Sequence, residues 1–245
     1  MAVPKSLILM TWNANSLRGK QAELEDVMTF YHVDIVLIQE TFLKPSHRLS
    51  FEHFFVYRND RTPGRGGGTA ILVRKGVKHE LLPSLSVNNF ETTSIKIDIQ
   101  ERPFVITSLY RKSSAFNYAE YRSLVEGKFP KIIGGDFNAH HPTWGCSRAN
   151  SAGNAIVALS ADLGYGLALP DEPTHHPSTV SQGAARILDF FILQDVNRDS
   201  EVRVLDELDS DHRPVLLKLG NCATTQVPVT RFRKKPTGKT TNLFS

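Results

Sequence analysis

Polar side chains that could bind a metal or take part in catalysis lie at the ends of short apolar runs in this chain. His212 comes just before the run 214–217, and Asp136 comes just after the run 130–135. Functional groups commonly lie where strands end and loops begin. Carboxylates, amides and an imidazole at such ends can hold a hard divalent cation and still leave a His–carboxylate pair for acid–base chemistry. The residues at these ends are Asn13, Glu40, Tyr110, Asp136, Asn138, Asp189, Asp211 and His212.

Two short motifs within this set each allow two interpretations. Asp136 and Asn138 are two residues apart, so on extended backbone their side chains point to the same side and can share one water and one phosphate oxygen. A simple turn is the alternative. Asp211 and His212 could equally cap backbone amides. His is the side chain whose charge changes near neutral pH, and Asp189 is a candidate to hold its tautomer.

Glu40 ends the buried run 35–39, where a carboxylate is costly unless it meets a cation. Mg²⁺ takes few protein oxygens and keeps waters, which suits one firm carboxylate with amides nearby. Zinc is disfavoured because the histidine pairs, 140–141 and 175–176, are adjacent in sequence, a poor geometry for one tetrahedral ion.

The elements that must position these residues follow from the apolar pattern. Helical spacing occurs over 17–31, 118–126 and 153–163. Extended runs predict strands at 6–12, 34–39, 51–58, 69–73, 93–99, 103–110, 130–135, 188–193, 202–205 and 215–219. This order is neither a clean βαβ repeat nor all-β. It predicts an α/β (α+β) fold in which two packed mixed β-sheets are flanked by helices.

The glycine-rich stretch 64–68 has neither the Lys-Ser/Thr of a P-loop nor a helix after it. It opens a strand instead, which favours a tight turn over a nucleotide site.

Composition limits the class of protein. With 245 residues, 40% apolar and 22% charged, the chain is ordinary for a globular protein of one large domain or two small ones. No apolar run approaches ~18 residues, and the first residues lack a secretory cleavage pattern, so we expect no membrane association. Two cysteines, Cys146 and Cys222, favour a reducing compartment over a disulfide framework.

The positive charge is concentrated at the C-terminus. The net charge of the chain is +4. The last twenty residues contain no acidic side chain and five basic ones: Arg231, Arg233, Lys234, Lys235 and Lys239. The rest of the chain is nearly neutral. We predict one domain over 1–220 and a basic tail or linker over 221–245. A basic tail can hold phosphate backbones without reading sequence; a solvated linker is the other interpretation.

The motifs, taken in order, resemble the exonuclease–endonuclease–phosphatase superfamily, which includes apurinic/apyrimidinic endonucleases, DNase I-like nucleases and inositol-polyphosphate phosphatases. The resemblance spans roughly residues 6–219. Four stretches resemble more closely the endonuclease domain of insect-type non-LTR retrotransposons of the jockey and telomere-targeted groups. These are Gly135-Asp136-Phe137-Asn138-Ala139-His140-His141-Pro142-Thr143-Trp144-Gly145, Pro173-Thr174-His175, Ile187-Leu188-Asp189 and Ser210-Asp211-His212-Arg213-Pro214-Val215.

The resemblance implies a DNase I-like, four-layered α/β sandwich and an enzyme. Such a domain nicks double-stranded target DNA with Mg²⁺, for which Mn²⁺ can substitute. The 3′-OH then primes target-primed reverse transcription by a reverse transcriptase domain of the same polyprotein. We expect the isolated domain to be monomeric and to act inside the cell, in the nucleus. Two alternatives remain: a phosphatase or phosphodiesterase of the same fold, and a catalytically inactive DNA-binding module. Which DNA sequence is cut stays open.

The resemblance also implies roles for individual residues. Glu40 is the main metal ligand, with Asn13 and Asp211 in or near the metal shell. Asp136 orients or deprotonates the attacking water, and Tyr110 and Asn138 contact the scissile phosphate. His212, held by Asp189, is an acid–base or phosphate-stabilising group. The supporting residues are Asn15, Thr174 and Ser210. Some relatives have Asp at the position of Asn15, and an amide there lowers the negative charge of the site.

The loop 174–187 matches the region in which relatives project a hairpin towards DNA. The predicted DNA contacts are His175, His176, Thr179, Gln182 and Arg186 in this loop, and Arg65 outside it.

Overall fold

The computed structural model describes residues 6–62, 64–84, 89–112, 117–177 and 184–222. Within these ranges the strands are β1 (Leu7–Asn13), β2 (Ile35–Gln39), β3 (Phe54–Asn59), β4 (Thr69–Arg74), β5 (His79–Leu82), β6 (Phe90–Ile99), β7 (Arg102–Arg111), β8 (Lys131–Asp136), β9 (Gly166–Ala168), β10 (Asp189–Gln194), β11 (Arg198–Val204) and β12 (Val215–Cys222). The α-helices are α1 (Gln21–Phe30), α2 (Tyr118–Val125) and α3 (Ser151–Leu163), and a short 3₁₀ helix spans Pro142–Trp144.

The strands form two six-stranded sheets. The first has the order β11-β12-β1-β2-β4-β3 and the second the order β5-β6-β7-β8-β10-β9. Each sheet is mixed, because β1 and β2 are parallel in the first and β7 and β8 are parallel in the second, whereas the other pairs are antiparallel. The predicted pair of mixed sheets is therefore confirmed.

Three apolar clusters divide the fold into four layers. Alternate residues of a strand point to opposite faces, so in β1 Leu9 packs between the sheets whereas Met10 packs under α1. Every residue of β2 is buried, as expected for a strand covered on both faces. A third cluster lies between the outer face of the second sheet and the helices α2 and α3. The order of layers is helix, sheet, sheet, helices.

Several element boundaries differ from the sequence prediction. The first helix begins at Gln21, not at residue 17, because the backbone N–H groups of residues 14, 16 and 17 donate to the carbonyl oxygens of 39–41. Leu17 is buried there, which gave the segment its helix-like spacing. β11 begins at Arg198, earlier than predicted, since β12 pairs with polar residues too. The strands β5 and β9 were not predicted because both are short and neither is an apolar run.

No helix within the described ranges is long and apolar enough to cross a membrane. β12 extends to Cys222, so the last strand passes the predicted domain boundary by two residues. The remainder of the predicted basic tail lies outside the described residues, and its separation from the domain stays a prediction.

Candidate active site

The chemically competent residues collect at one edge shared by both sheets. The parallel strands β1 and β2 end there, as do β7 and β8, and the antiparallel strands β10 and β12 begin there. The register sets Tyr110 beside Asp136 and Asp136 beside Asp189. The side chains brought together at this edge are Asn13, Glu40, Tyr110, Asp136, Asp189 and His212.

Gly135 lets this edge form. A Cβ at this position would lie 1.8 Å from the carbonyl oxygen of Leu109 on the neighbouring strand β7. Because glycine has no Cβ, β8 can pair closely with β7, and this pairing sets Asp136 beside Tyr110.

Asn13 connects the two sheets at the centre of the site. Its Nδ2 donates to Glu40 Oε1 at 3.2 Å and to Asp136 Oδ2 at 2.9 Å. Its Oδ1 accepts the backbone N–H of Asn15 at 3.1 Å, which fixes the orientation of the amide. In this geometry Asn13 orients two carboxylates through Nδ2, and its Oδ1 accepts one hydrogen bond. The role of Asn13 near the metal, as implied by the resemblance, stays a prediction.

Asp189 and His212 form a buried hydrogen-bonded pair. His212 Nδ1 and Asp189 Oδ2 are 2.8 Å apart. Thr174 Oγ1 donates to the same oxygen at 2.7 Å and itself accepts the N–H groups of Leu188 and Asp189. Asp189 thus holds one ring nitrogen of His212 and leaves Nε2 for chemistry. The sequence prediction paired the same two residues, and their catalytic roles stay predictions.

Burial and neighbouring charge shift two pKa values at this site. Burial by itself would lower the pKa of His212, but the carboxylates of Asp189, Asp136 and Asp211 raise it to about 10. Burial and the charge of Asp189 raise the pKa of Asp136, whereas His212, the Asn138 amide and Asn13 oppose the rise, and the net pKa is about 7. At neutral pH these shifts favour a cationic imidazole beside a carboxyl group that is partly protonated.

We expect the raised pKa of His212 to make the free energy of unfolding depend on pH. A pKa that folding raises from 6.5 to about 10 gives stability that is complete below pH 6.5 and is lost as pH rises towards 10. The free energy of unfolding of the metal-free protein should therefore fall between about pH 7 and 9.5, by at most about 1.4 kcal/mol per pH unit for one proton. Urea titrations at several pH values measure this, and His212→Asn should flatten the dependence. An equal slope in that variant would assign the proton to another group.

The motif Asp136 to Asn138 forms a local turn and also reaches the site. Asp136 Oδ1 accepts the backbone N–H of Asn138 at 2.8 Å, and Asn138 has a φ of 45°. Asn138 Nδ2 donates to the carbonyl oxygen of Arg111 at 2.8 Å. The turn and the functional interpretation are thus compatible. Phosphate contact by Asn138 stays a prediction, because its amide hydrogens are directed to protein oxygens here.

Tyr110 lies against Glu40 at the edge. Burial raises the pKa of the Tyr110 hydroxyl, and the charge of Glu40 and its hydrogen bond with the phenol raise it further. The phenol therefore keeps its proton and can donate to an anionic oxygen.

The sequence prediction missed an ion pair that supports Tyr110 and Glu40. Arg61 Nε donates to Glu91 Oε1 at 2.5 Å, and the guanidinium lies 5.7 Å from the centre of the Tyr110 ring. Glu91 Oε2 accepts the N–H of Gly68 at 2.6 Å. The glycine-rich stretch is thus a turn, as predicted, and it is held against the segment that follows Glu40. The available signal was an acidic residue in a strand, since a buried carboxylate needs a partner.

Asp211 lies beside His212 at the rim of the site, which we define by Asp211, Asn15 and His175. Asn15 Nδ2 donates to Asp211 Oδ1 at 3.1 Å, and His175 Nε2 lies 3.7 Å from Oδ2. The neighbouring His175 imidazole lowers the pKa of Asp211, with burial opposing and the charge of His212 assisting. Ser210 Oγ donates to the Asn13 carbonyl oxygen at 2.8 Å and anchors this segment. The amide at position 15 thus supports a neighbouring carboxylate, which an Asp there would repel.

The residues predicted to contact DNA differ in burial and in their contacts. The ring of His175 faces inward, 4.5 Å from the ring of His212. His176 Nε2 contacts the carbonyl oxygen of Pro173 at 3.3 Å. Arg186 is half-buried and pairs through its backbone with His175. Arg65 is exposed on the glycine-rich turn. The remaining two, Thr179 and Gln182, lie outside the described residues.

The oxygen-rich end of the site fits Mg²⁺. Glu40 is half-buried, and its φ of 48° turns the backbone away from the direction of β2. Glu40 and Asp136 both accept a hydrogen bond from Asn13 Nδ2, which keeps the two carboxylates near each other. Two groups of three His or Asp residues lie with ligand atoms within 4.8 Å in the described part of the chain, and Glu40 is in neither. A cation at Glu40 would therefore have few protein ligands and keep several waters, as Mg²⁺ prefers.

The fold and the site define the class of protein. The chain matches the Endonuclease/Exonuclease/phosphatase family over residues 10–212, and it belongs to that family. The chain is 30% identical over 216 residues to the "RNA-directed DNA polymerase from mobile element jockey" of Drosophila funebris, covering 85% of this chain and 23% of that protein. It is 27% identical over 218 residues to the "Probable RNA-directed DNA polymerase from transposon X-element" of Drosophila melanogaster, covering 87% and 24%. The chain thus spans about a quarter of the length of these relatives.

Solved structures share the fold. The "Endonuclease domain of TRAS1, a telomere-specific non-LTR retrotransposon" matches with a TM-score of 0.72 and 22% identity, over 89% of this chain and all of that one. The APE2 catalytic domain of Xenopus laevis matches with a TM-score of 0.67 and 14% identity, over 91% and 96%. The resemblance inferred from the motifs and the DNase I-like fold are both confirmed.

Proposed function

We propose that this domain is a Mg²⁺-dependent endonuclease that nicks one strand of double-stranded target DNA and leaves a 3′-OH primer. The observation that carries the proposal is the shared sheet edge at which the His212–Asp189 pair meets the carboxylates held by Asn13. A phosphodiester resists hydrolysis because its anionic oxygens repel a nucleophile. The site supplies what the reaction needs: positive charge, neutral donors and a proton acceptor.

Asp136 is the proposed acceptor for the proton of the attacking water. A pKa of about 7 lets it accept a proton near neutral pH without being protonated throughout. Asn13 and the Asn138 backbone amide hold its two oxygens, so the carboxylate has a fixed direction. The resemblance implies that Asp136 orients or deprotonates the attacking water, and the fixed direction of its carboxylate supports this proposal.

His212 is the proposed cation at the phosphate. Its raised pKa keeps the imidazole protonated at neutral pH, and Asp189 occupies Nδ1. The Nε2–H can therefore donate to a phosphate oxygen or to the leaving oxygen. Tyr110 supplies a neutral donor from the neighbouring strand. Mg²⁺, held at Glu40, would offset charge that develops on the phosphate.

The biological setting is inferred from the relatives. The two named above are RNA-directed DNA polymerases of mobile elements, and this chain spans about a quarter of their length. We infer that the domain works beside a reverse transcriptase domain of the same polyprotein, which extends the 3′-OH in target-primed reverse transcription. We propose that the domain acts in the nucleus, since its proposed substrate is target DNA. The basic segment 221–245 would lead towards the next domain.

Supercoiled plasmid incubated with the full chain and Mg²⁺ tests the function. We expect conversion to the open circular form, which stops when EDTA removes the metal. Release of phosphate from small esters without nicking would support a phosphatase of the same fold instead. Binding of DNA that is unaffected by EDTA and causes no cleavage would indicate an inactive binding module.

A further inference from the structure

Two imidazoles and one carboxylate converge at the rim of the site. His175 Nε2 lies 3.7 Å from Asp211 Oδ2, and the His175 and His212 rings are 4.5 Å apart at 51°. One ligand atom from each of the three residues lies within 4.8 Å of the others. The 3.7 Å between His175 Nε2 and Asp211 Oδ2 is close to the spacing of about 3.3–3.6 Å between neighbouring ligands of a tetrahedral ion with metal–ligand distances of about 2.0–2.2 Å.

The backbone brings these residues together from distant parts of the chain. His175 forms β-bridges with Arg186 and with His212. The N–H of His176 donates to the carbonyl oxygen of Asp211 at 2.8 Å, and the N–H of Arg213 donates to that of Thr174 at 2.6 Å. The imidazole that faces His175 is therefore that of His212, across a β-bridge, and not that of its sequence neighbour His176. Since His175 and His212 are not adjacent in sequence, both can reach one tetrahedral ion.

We propose that His175, Asp211 and His212 bind a borderline-soft divalent transition metal of the Zn²⁺ class, separately from the Mg²⁺ held at Glu40. Two imidazole nitrogens with one carboxylate oxygen suit Zn²⁺ and leave a fourth position for water. Mg²⁺ prefers an all-oxygen set and would not compete well for it.

The supports behind these ligands also suit such a site. Asp189 holds His212 Nδ1 at 2.8 Å, so Nε2 is the ring nitrogen left to bind a metal. Asn15 Nδ2 holds Asp211 Oδ1 at 3.1 Å, which leaves Oδ2 on the His175 side. Hydrogen bonds of this kind fix the orientation of metal ligands and raise affinity.

The consequence for activity rests on the proposed function. Zn²⁺ on His212 Nε2 would displace the Nε2 proton to solvent, and would so remove the group proposed to donate to the phosphate. Zn²⁺ is therefore expected to inhibit Mg²⁺-dependent nicking by occupying His212 and Asp211, whereas Glu40 is not among the Zn²⁺ ligands. This makes the rim site inhibitory and distinct from the metal that supports the reaction.

Metal binding is tested first, on the full metal-free chain. Zn²⁺ is titrated by calorimetry, and Co²⁺ is added as a probe whose visible absorption reports its ligands. We expect His175→Ala to weaken binding by at least ~10-fold and to change the Co²⁺ spectrum. His176→Ala is the matched control, because it removes the neighbouring imidazole, which contacts Pro173. Wild-type affinity in His175→Ala, or equal weakening in both variants, would overturn the proposal. His175→Gln replaces the alanine variant if thermal melting in EDTA shows that it is unfolded.

Inhibition is tested second, with each variant normalised to its own nicking rate without zinc. The Zn²⁺ concentration that halves the rate should rise at least ~10-fold in His175→Ala and stay unchanged in His176→Ala. Equal zinc sensitivity in His175→Ala would overturn the inhibitory role. If no protein nicks DNA, the proposed function fails, and calorimetry and Co²⁺ absorption still decide whether the site exists.

Discussion

Replacing His212 with alanine should lower the rate of plasmid nicking by at least ~10²-fold, and Asp136→Ala should do the same. His212 is the cation at the site and Asp136 its proton acceptor, so each substitution removes a group that acts on the reacting atoms. Neither side chain supplies much DNA contact area, since both are buried. Affinity for uncut DNA, measured in EDTA by fluorescence anisotropy, should therefore stay close to that of the wild type.

His53→Ala is the matched control for the histidine change, because His53 is exposed and lies on the segment just before β3. Its rate should equal that of the wild type. Circular dichroism melts must show that the His212 and Asp136 variants are folded before their rates are compared. Near-wild-type nicking by either folded variant would remove that residue from the proposed chemistry.

Glu40→Gln should abolish most activity at low Mg²⁺, with a loss of at least ~10²-fold, and should raise the Mg²⁺ concentration needed for half-maximal nicking. The substitution keeps the size of the side chain, so the contact with Asn13 and the packing against Tyr110 can persist. What it removes is the negative charge that holds the cation. Nicking rates measured across a Mg²⁺ titration separate weaker metal binding from a lower maximal rate.

The control for this charge change is Glu23→Gln, an exposed residue in the first turn of α1. It alters net charge equally and should leave the Mg²⁺ dependence where it was. If Glu40→Gln and the wild type share one Mg²⁺ dependence, the metal is held elsewhere, and Asp136 would become the principal candidate ligand.

The convergence of the candidate residues could be predicted from sequence because several apolar runs begin or end at a polar residue of suitable chemistry. Glu40 follows β2 and Asp136 ends β8, and in each case the run itself is buried. Once two sheets pack with parallel strands at their centres, the ends of these strands meet. Continuous burial of the runs therefore predicts central strands, and the polar residues at their ends are expected at the edge shared by the two sheets.

The fine contacts could not be predicted, because they depend on side-chain direction and on pairing between distant segments. Asn13 turns its amide nitrogen to the carboxylates only because the Asn15 backbone N–H takes its oxygen. His175 meets His212 through isolated β-bridges, which leave no period in the sequence. Arg61 reaches Glu91 across the sheets in the same unpredictable way.

Short or polar elements were missed for a related physical reason. β5 is half-exposed to fully exposed along its length, and it is held as an edge strand by pairing with β6. β9 spans three residues and is held by β10. Their structure comes from hydrogen bonding to a longer neighbour, and their own composition does not predict it.

The chemistry of the nick tests the central claim most directly. Plasmid nicked by the full chain with Mg²⁺ is repurified and offered, without any end treatment, to a DNA polymerase and labelled nucleotides. We predict incorporation of label at the nicks, because water attack with departure of the 3′ oxygen leaves a 3′-OH that primes synthesis. The His212→Ala protein, tested in parallel, should yield almost no labelled product. Nicks that accept label only after a phosphatase has removed a 3′-phosphate would contradict the proposed role as a generator of primers for reverse transcription.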